Sequence, residues 1–239
     1  IGELQKKRRR MINLNLQDTK GSYDAVFSLG SACNPAIQFQ RLNLKRFTSS
    51  PLDWNYSPFL SDVNRLLKNK FNGFMELKNM RVINDKGVSM YAEEGVFVFP
   101  HKGLHKPIKS YLVLDTVYNI FSAHDFPIIR NRNWSVTYPS FKKNLNYRID
   151  RFLDKVKNSP SILFVRWVAN YQEAVELEST LSILTKGNFK VLILNPVEGL
   201  QGVSEVNWGL SRTCVVNVPN DPNSNVTWDY VLNGVTLTN

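Results

Sequence analysis

Residues 24–39 read Asp24-Ala-Val-Phe-Ser-Leu-Gly-Ser-Ala-Cys33-Asn-Pro-Ala-Ile-Gln-Phe39, and this stretch decides the predicted fold. Its first residues, up to Leu29, form an apolar run typical of a buried strand that ends at Gly30. Asn34-Pro35 follows, a strong N-cap residue before a favoured first helical residue. The stretch therefore predicts a strand, a tight turn and a helix, with free backbone N–H groups and the positive end of the helix dipole at the turn.

This turn has two interpretations. Cys33 stands one residue before the predicted cap, where a helix N-terminus stabilises a thiolate and lowers the pKa of the thiol. Alternatively, Gly30 and Ser31 cradle an anion such as a diphosphate, because backbone N–H groups at a helix N-terminus bind phosphate. The turn is predicted either to hold a nucleophile or to bind an anion.

Three further apolar runs are typical of buried strands: Ser161–Arg166, Lys190–Leu194 and Thr213–Val218. Between the first two, Asn170 and Glu173 form a capping-box pattern that predicts the start of a helix. Strand, helix and strand of this length form a right-handed unit with parallel strands. We predict an α/β fold in which a mostly parallel sheet is flanked by helices. Such sheets bind ligands beyond the carboxyl ends of their strands, where Arg166 is expected.

The hydrophobic period changes to two between Met80 and Pro100, which predicts a small antiparallel β-meander inserted into the α/β fold. Its strands are expected at Met80–Ile83, Val88–Tyr91 and Val96–Phe99. His101 and His105 follow with the spacing of one helix face. Gly103 and Pro107 argue against a helix there, and no acidic third ligand is near, so no metal site is predicted.

Two further places in the chain combine polar residues with apolar neighbours and are candidates for the functional site: His124-Asp125 and the loop around Asp53. The run from Tyr118 predicts a strand that ends at His124-Asp125, where the His is either a catalytic base with its own partner or a hydrogen-bonded structural residue. In one interpretation, the loop Pro51-Leu-Asp53-Trp54 brings a carboxylate and an aromatic wall to a pocket. Its other interpretation is a buried Asp that accepts hydrogen bonds from loop N–H groups, with Trp54 in the core.

Length and composition predict one α/β domain over residues 23–239, preceded by a basic lead-in over residues 1–22. The net charge of +10 suits an anionic partner. The densest charge, Lys6–Arg10, is either a solvated arm or a segment that binds an acidic partner. Two distant cysteines predict a reducing compartment and no structural metal. Without an apolar run of roughly 18 residues or a signal core, we expect a soluble, cytoplasmic protein. Ile1 in place of Met suggests a piece of a larger multidomain chain.

Five separated motifs carry a family resemblance: Tyr23–Cys33, Pro51–Trp54, Ser122–Phe126, Arg148–Phe152 and Ile162–Arg166. Over about residues 22–235 the chain resembles DUF1796, a bacterial family of unknown function labelled papain-like cysteine peptidases. The resemblance implies a hydrolase or acyl transferase with Cys33 as nucleophile and His124 as base. It further implies Asp125 or Asp53 as an orienting carboxylate, and no cofactor.

A second hypothesis follows from the same resemblance, because members of this family tend to occur beside or fused to cell-surface polysaccharide enzymes. It makes the chain a metal-independent nucleotide-sugar glycosyltransferase, since no Asp-x-Asp motif is present. The nucleotide sugar would be the donor substrate, with Asp53, His124 or Asp125 as base. Gly30, Ser31, Trp54 and Arg166 are the predicted substrate-binding residues, for an anionic or carbohydrate-linked small substrate rather than nucleic acid. A binding or scaffold domain is the third interpretation.

Overall fold

A computed structural model of the chain describes residues 13–47, 49–83, 96–98 and 108–238. Its strands are β1 (Gly21–Tyr23), β2 (Ala25–Ser28), β3 (Asn55–Tyr56), β4 (Met80–Val82), β5 (Val96–Val98), β6 (Ile108–Ser110), β7 (Val113–Asp115), β8 (Ile120–Ser122), β9 (Ser161–Trp167), β10 (Asn188–Val197), β11 (Ser204–Val206), β12 (Thr213–Pro219) and β13 (Val235–Leu237). Its helices are α1 (Asn34–Arg41), α2 (Leu60–Lys68), α3 (Tyr138–Asn158), α4 (Tyr171–Leu184) and α5 (Asn225–Leu232). Short 3-10 helices lie at Gln17–Thr19, Leu77–Asn79 and Trp134–Thr137.

The central sheet has the strand order β11-β12-β10-β9-β2. β12, β10, β9 and β2 run parallel, and β11 is antiparallel at one edge. The prediction of a mostly parallel sheet flanked by helices is confirmed. The strand order places the turn after β2 next to the turn after β9, because these two strands are neighbours.

Two buried clusters cover the two faces of this sheet. In β9, Ile162 and Phe164 belong to the cluster formed with α2, α3 and α4, whereas Leu163 and Val165 belong to the cluster formed with α1 and α5. Because both faces are covered, the residues from Ile162 to Val165 are all apolar rather than alternating with polar ones. Cys214 lies fully buried in the second cluster, where it packs as a small apolar core residue.

A smaller antiparallel sheet, of order β3-β8-β7-β4, is inserted between α1 and α3 in the chain. It confirms the antiparallel insertion, but the pairing differs from the predicted meander, since β4 pairs with β7 and β5 with β6. The expected middle strand Val88–Tyr91, like His101 and His105, lies outside the described residues. A period-two pattern identifies strands, whereas the choice of partner depends on packing between distant segments.

Helix starts hold the carboxyl edge of the central sheet together. Asn170 Oδ1 accepts from the Glu173 N–H at 2.9 Å, and Glu173 Oε2 accepts from the Asn170 N–H at 3.0 Å, which confirms the capping box. Glu173 Oε1 also accepts from the Ser61 N–H at 3.0 Å, so one carboxylate joins the starts of α2 and α4. The prediction of Asn34 as the N-cap of α1 is wrong, since the helix begins one residue earlier, with Cys33 as the N-cap, and the Asn34 side chain instead donates to Asn223 Oδ1 in the loop after β12.

The described part of the lead-in packs against the domain. Leu14 and Leu16 are buried in the cluster with α1 and α5, and β1 pairs in parallel with β13. The sequence predicts a lead-in outside the core here, since two leucines among polar residues form too short a pattern to indicate burial. Their partners come from the far end of the chain, which no local pattern identifies.

Candidate active site

Residues 30–33, here called the Cys33 turn, lie at the carboxyl edge of the central sheet. The Trp167 N–H donates to Gly30 O at 3.1 Å, so the ladder between β9 and β2 continues into the turn. From the segment before α2, the Ser57 N–H donates to Ser31 O at 2.7 Å. The backbone is therefore held on two sides immediately before Cys33.

Cys33 and His124 meet at this edge. The Cys33 Sγ lies 3.3 Å from the His124 Nε2, although 91 residues separate them in the sequence. His124 follows β8 by two residues, and β8 pairs with β3, which leads directly to Ser57. The antiparallel insertion thus delivers the imidazole to the Cys33 turn, and both side chains are partly exposed.

Asp125 supplies negative charge beside this pair. Its Oδ2 accepts from the Ser122 Oγ at 2.6 Å, and its backbone carbonyl accepts from the Thr137 Oγ1 at 3.3 Å. The charge of the Asp125 carboxylate acts to raise the pKa of His124, against burial, which lowers it, and it adds to the increase that burial causes in the pKa of Cys33. Because Ser122 is the last residue of β8, the carboxylate is tied to the same strand end that positions the imidazole.

The surroundings of the Cys33 thiol shift its pKa in the direction opposite to the one expected from the sequence. Burial, followed by the charges of Asp53 and Asp125, raises the pKa of Cys33 to about 11, although its own backbone N–H acts to lower it. The prediction of a lowered pKa at the helix start is therefore wrong, because loss of water and two carboxylates outweigh the helix terminus. Burial also lowers the pKa of His124 below 6.5, with Asp125 acting in the opposite direction. At neutral pH the pair is a thiol and a neutral imidazole.

Asp53 has local partners of its own. Its Oδ2 accepts from the Lys45 Nζ at 2.6 Å and from the Ser50 N–H at 2.8 Å, and only 1% of the residue is exposed. Burial raises the pKa of Asp53, while Lys45 lowers it. This matches the interpretation of Asp53 as a buried acceptor for its loop, and it leaves Asp125, which directly follows His124, as the better candidate for an orienting carboxylate.

Trp54 forms a wall next to the imidazole. Its ring centroid lies 6.3 Å from that of His124, at an interplanar angle of 79°, which is an edge-to-face contact. The indole N–H donates to the Ser49 Oγ at 3.0 Å, and the Lys45 Nζ lies 5.2 Å from the ring centroid. Trp54 is therefore fixed against His124 from two sides, and its contact with a substrate stays a prediction.

Arg166 is fully buried beneath the Cys33 turn. Its guanidinium donates to oxygen atoms of the protein, among them Leu29 O at 2.8 Å and Ser57 O at 2.7 Å. Burial lowers the pKa of Arg166 to about 9. Its predicted contact with a substrate stays a prediction, as do those of Gly30 and Ser31, whose carbonyls bond to neighbouring backbone.

Within the described ranges, no three or more His, Cys, Asp or Glu side chains are placed to hold a metal ion. Over the same residues, the structure contains no helix with the length and apolar character that a membrane span requires.

A family model described as "Putative papain-like cysteine peptidase (DUF1796)" matches residues 24–199, and this range contains Cys33 and His124. The chain belongs to the DUF1796 family. The resemblance drawn from five separated motifs is thereby confirmed, and the description of DUF1796 supports the cysteine-hydrolase class. Chemistry of that class uses a thiol and an imidazole and requires no cofactor.

One relative of this DUF1796 member is "Uncharacterized protein R408" of Acanthamoeba polyphaga mimivirus. It is 30% identical over 185 residues, which cover 73% of this chain and 80% of the relative. A comparison with solved structures found no match. The relative is viral and uncharacterized, and neither it nor the DUF1796 description supports a glycosyltransferase or a bacterial polysaccharide role.

Three residues that support the site of this DUF1796 chain could not be assigned that role from the patterns described above. Lys45 pairs with Asp53, Ser122 holds Asp125, and Ser57 bonds to both the Cys33 turn and Arg166. The Ser122 position could have been found, because a hydroxyl three residues before a carboxylate at a strand end is a local signal. The other two contacts depend on how loops fold over one another.

Proposed function

We propose that the chain is a cysteine-dependent hydrolase or acyl transferase in which Cys33 is the nucleophile and His124 the base. The observation that carries this proposal is the 3.3 Å contact between the Cys33 Sγ and the His124 Nε2. A nucleophile and a base within hydrogen-bond reach form the minimal unit of covalent acyl transfer. The description of the DUF1796 family supports the same class.

The reaction begins from the neutral pair. As the Cys33 Sγ attacks an acyl carbon, the thiol proton passes to the His124 Nε2, and the carbonyl π electrons move onto the oxygen. The first N–H groups of α1 lack intrahelical acceptors and can stabilise that oxyanion. The imidazolium then protonates the leaving group, which leaves a thioester on Cys33. Water in a hydrolase, or an amine or alcohol in a transferase, attacks the thioester and restores the thiol.

Burial of the pair explains why proton transfer accompanies the attack. With the pKa of Cys33 near 11 and that of His124 below 6.5, a resting thiolate–imidazolium pair is unfavourable. A neutral imidazole is a competent base, and Asp125 stabilises the imidazolium that forms as it accepts the proton. Asp125 therefore has the role of the orienting and stabilising carboxylate.

Acetylation by p-nitrophenyl acetate tests the proposal without knowledge of the natural substrate. One equivalent of p-nitrophenol per chain should be released in a burst at pH 7.5, and mass spectrometry of peptides should locate the acetyl group on Cys33. His124→Ala should lower the burst rate by roughly 10²- to 10⁴-fold, because the base that accepts the thiol proton is lost.

Lys157→Ala serves as a control for surface acetylation, since this exposed residue lies at the end of α3, away from the Cys33 turn. It should leave the burst unchanged. Acetylation of Cys33 that proceeds equally well without His124 would contradict the proposed pair.

The pH dependence of acetylation has a defined direction. Protonated His124 cannot accept the thiol proton, so the rate should fall as the pH decreases through the pKa of His124, below 6.5. Asp125→Asn removes a charge that raises this pKa, so the acidic limb should move to lower pH. The measurement is the burst rate between pH 4.5 and 8 for both proteins. An acidic limb that stays in place or moves upward would show that Asp125 does not act on His124.

A further inference from the structure

Arg166 carries a positive charge into the interior, where its nearest partners are neutral. The Nη1 donates to Leu29 O at 2.8 Å and to Ser57 Oγ at 2.9 Å, the Nη2 donates to Ser57 O at 2.7 Å, and the Nε donates to Val168 O at 3.0 Å. None of the described salt bridges involves this guanidinium. The Glu173 carboxylate supports this charge only from a distance. A buried charge without a carboxylate in direct contact is costly, so these hydrogen bonds must be well aligned to retain it.

The oxygen atoms that Arg166 contacts belong to three separate segments. Leu29 precedes the Cys33 turn, Ser57 precedes α2, and Val168 follows β9. Ser57 in turn donates its N–H to Ser31 O, inside the Cys33 turn. A planar group with five donors can join such acceptors in fixed directions, which the single ammonium group of Lys cannot do.

Gly30 shows how closely the guanidinium approaches the Cys33 turn. A Cβ built on Gly30 would lie 2.9 Å from the Arg166 Nη1 and would collide with the Ser57 Oγ. The turn thus rests directly on Arg166 and Ser57, with no space for a side chain between them. Three residues further along the chain stands Cys33.

We propose that Arg166 is a positioning residue that holds the Cys33 turn and the segment before α2 in one arrangement, so that the Cys33 Sγ faces the His124 Nε2. This inference rests on the proposed function, because it assigns Arg166 a role in the same reaction. Arg166 reaches no reacting atom itself. It acts through the backbone of residues 29–31, and a small displacement of that backbone would move the thiol away from the imidazole.

The test compares Arg166→Lys with the parent chain by hydrogen exchange and by acetylation. Exchange of the Ser57 and Trp167 N–H groups, which donate into the Cys33 turn, should become at least about tenfold faster, while amides of β10 and β12 stay unchanged. The burst rate with p-nitrophenyl acetate should fall by about 10- to 100-fold, as expected for a displaced nucleophile. Arg212→Lys is the matched control, since its guanidinium packs on Phe189 at the amino ends of the strands. It should change neither quantity.

Each outcome decides the inference. A folded Arg166→Lys chain with unchanged exchange in these amides and an unchanged burst overturns it. If Arg166→Lys does not fold, Ser57→Ala, which removes one acceptor and keeps the charge, must show the same local exchange pattern with a smaller amplitude, or the inference fails. If the parent chain is not acetylated at Cys33, the proposed function fails instead, and the exchange result alone decides whether Arg166 holds the turn.

Discussion

Cys33→Ala is expected to abolish burst acetylation, with a loss of at least about 10³-fold in rate, because the atom that forms the thioester is removed. The residue caps α1 without a side-chain hydrogen bond, so its loss should leave the helix intact. Circular dichroism and thermal unfolding should therefore resemble those of the parent chain. The measurement is the p-nitrophenol burst per folded chain.

Cys214→Ala provides the matched control for this variant. Cys214 is fully buried in β12, within the cluster that includes α1 and α5, and it lies outside the candidate active site. Its replacement should lower the free energy of unfolding by about 1 kcal/mol through a small cavity and leave the burst intact. A burst that survives in Cys33→Ala and disappears in Cys214→Ala would contradict the assignment of Cys33 as the nucleophile and point to Cys214 instead.

Gly30→Ala should strongly lower the free energy of unfolding. Gly30 has φ of +89°, which an L-residue rarely adopts, and an added Cβ would meet Arg166 and Ser57. Conformational cost and overpacking together should lower the free energy of unfolding by about 2 to 5 kcal/mol. Denaturant unfolding of both chains measures the difference.

Gly199→Ala separates the two contributions. Gly199 also has positive φ, at +71°, but among the described residues no atom beyond its chain neighbours lies within 4 Å of an added Cβ, so only the conformational cost of about 1 to 2 kcal/mol should appear. In a Ser57→Ala background, the penalty of Gly30→Ala should shrink, because the hydroxyl that collides with the Cβ is absent. Equal penalties for Gly30→Ala and Gly199→Ala would mean that the turn can move away from Arg166.

The elements of the central sheet could be predicted because each carries its own signal. β9 and β10 each contain a continuous apolar run, Ile162–Val165 and Val191–Leu194, and Asn170 with Glu173 marks the start of α4. The partners of short strands could not be predicted, as β4 shows. Its pattern indicated a strand, yet its neighbour β7 lies some thirty residues away, beyond the turn signals that suggested a meander. Local chemistry identifies a strand, whereas long-range packing selects its neighbour.

The candidate active site could likewise be predicted only in part. Cys33 at a strand–turn–helix junction and His124 at a strand end could be singled out from residue type and position, and the family resemblance linked them. The charge state of the Cys33 thiol could not be predicted from the sequence, because it depends on burial and on the carboxylates of Asp53 and Asp125, which approach Cys33 only in the folded chain. The buried partners of Arg166 were equally hidden, since a backbone carbonyl leaves no mark in the sequence.

The placement of β2 beside β9 has a consequence for the order of folding. The elements from β9 to β12, with α4 among them, follow one another in the chain and can assemble through short loops, whereas β2 must find β9 across a separation of 137 residues between Asp24 and Ser161. Closing so long a loop is slow. After dilution from denaturant, we expect the helix signal to recover first and burst acetylation to return in a later kinetic phase, when the first and second halves of the chain finally join.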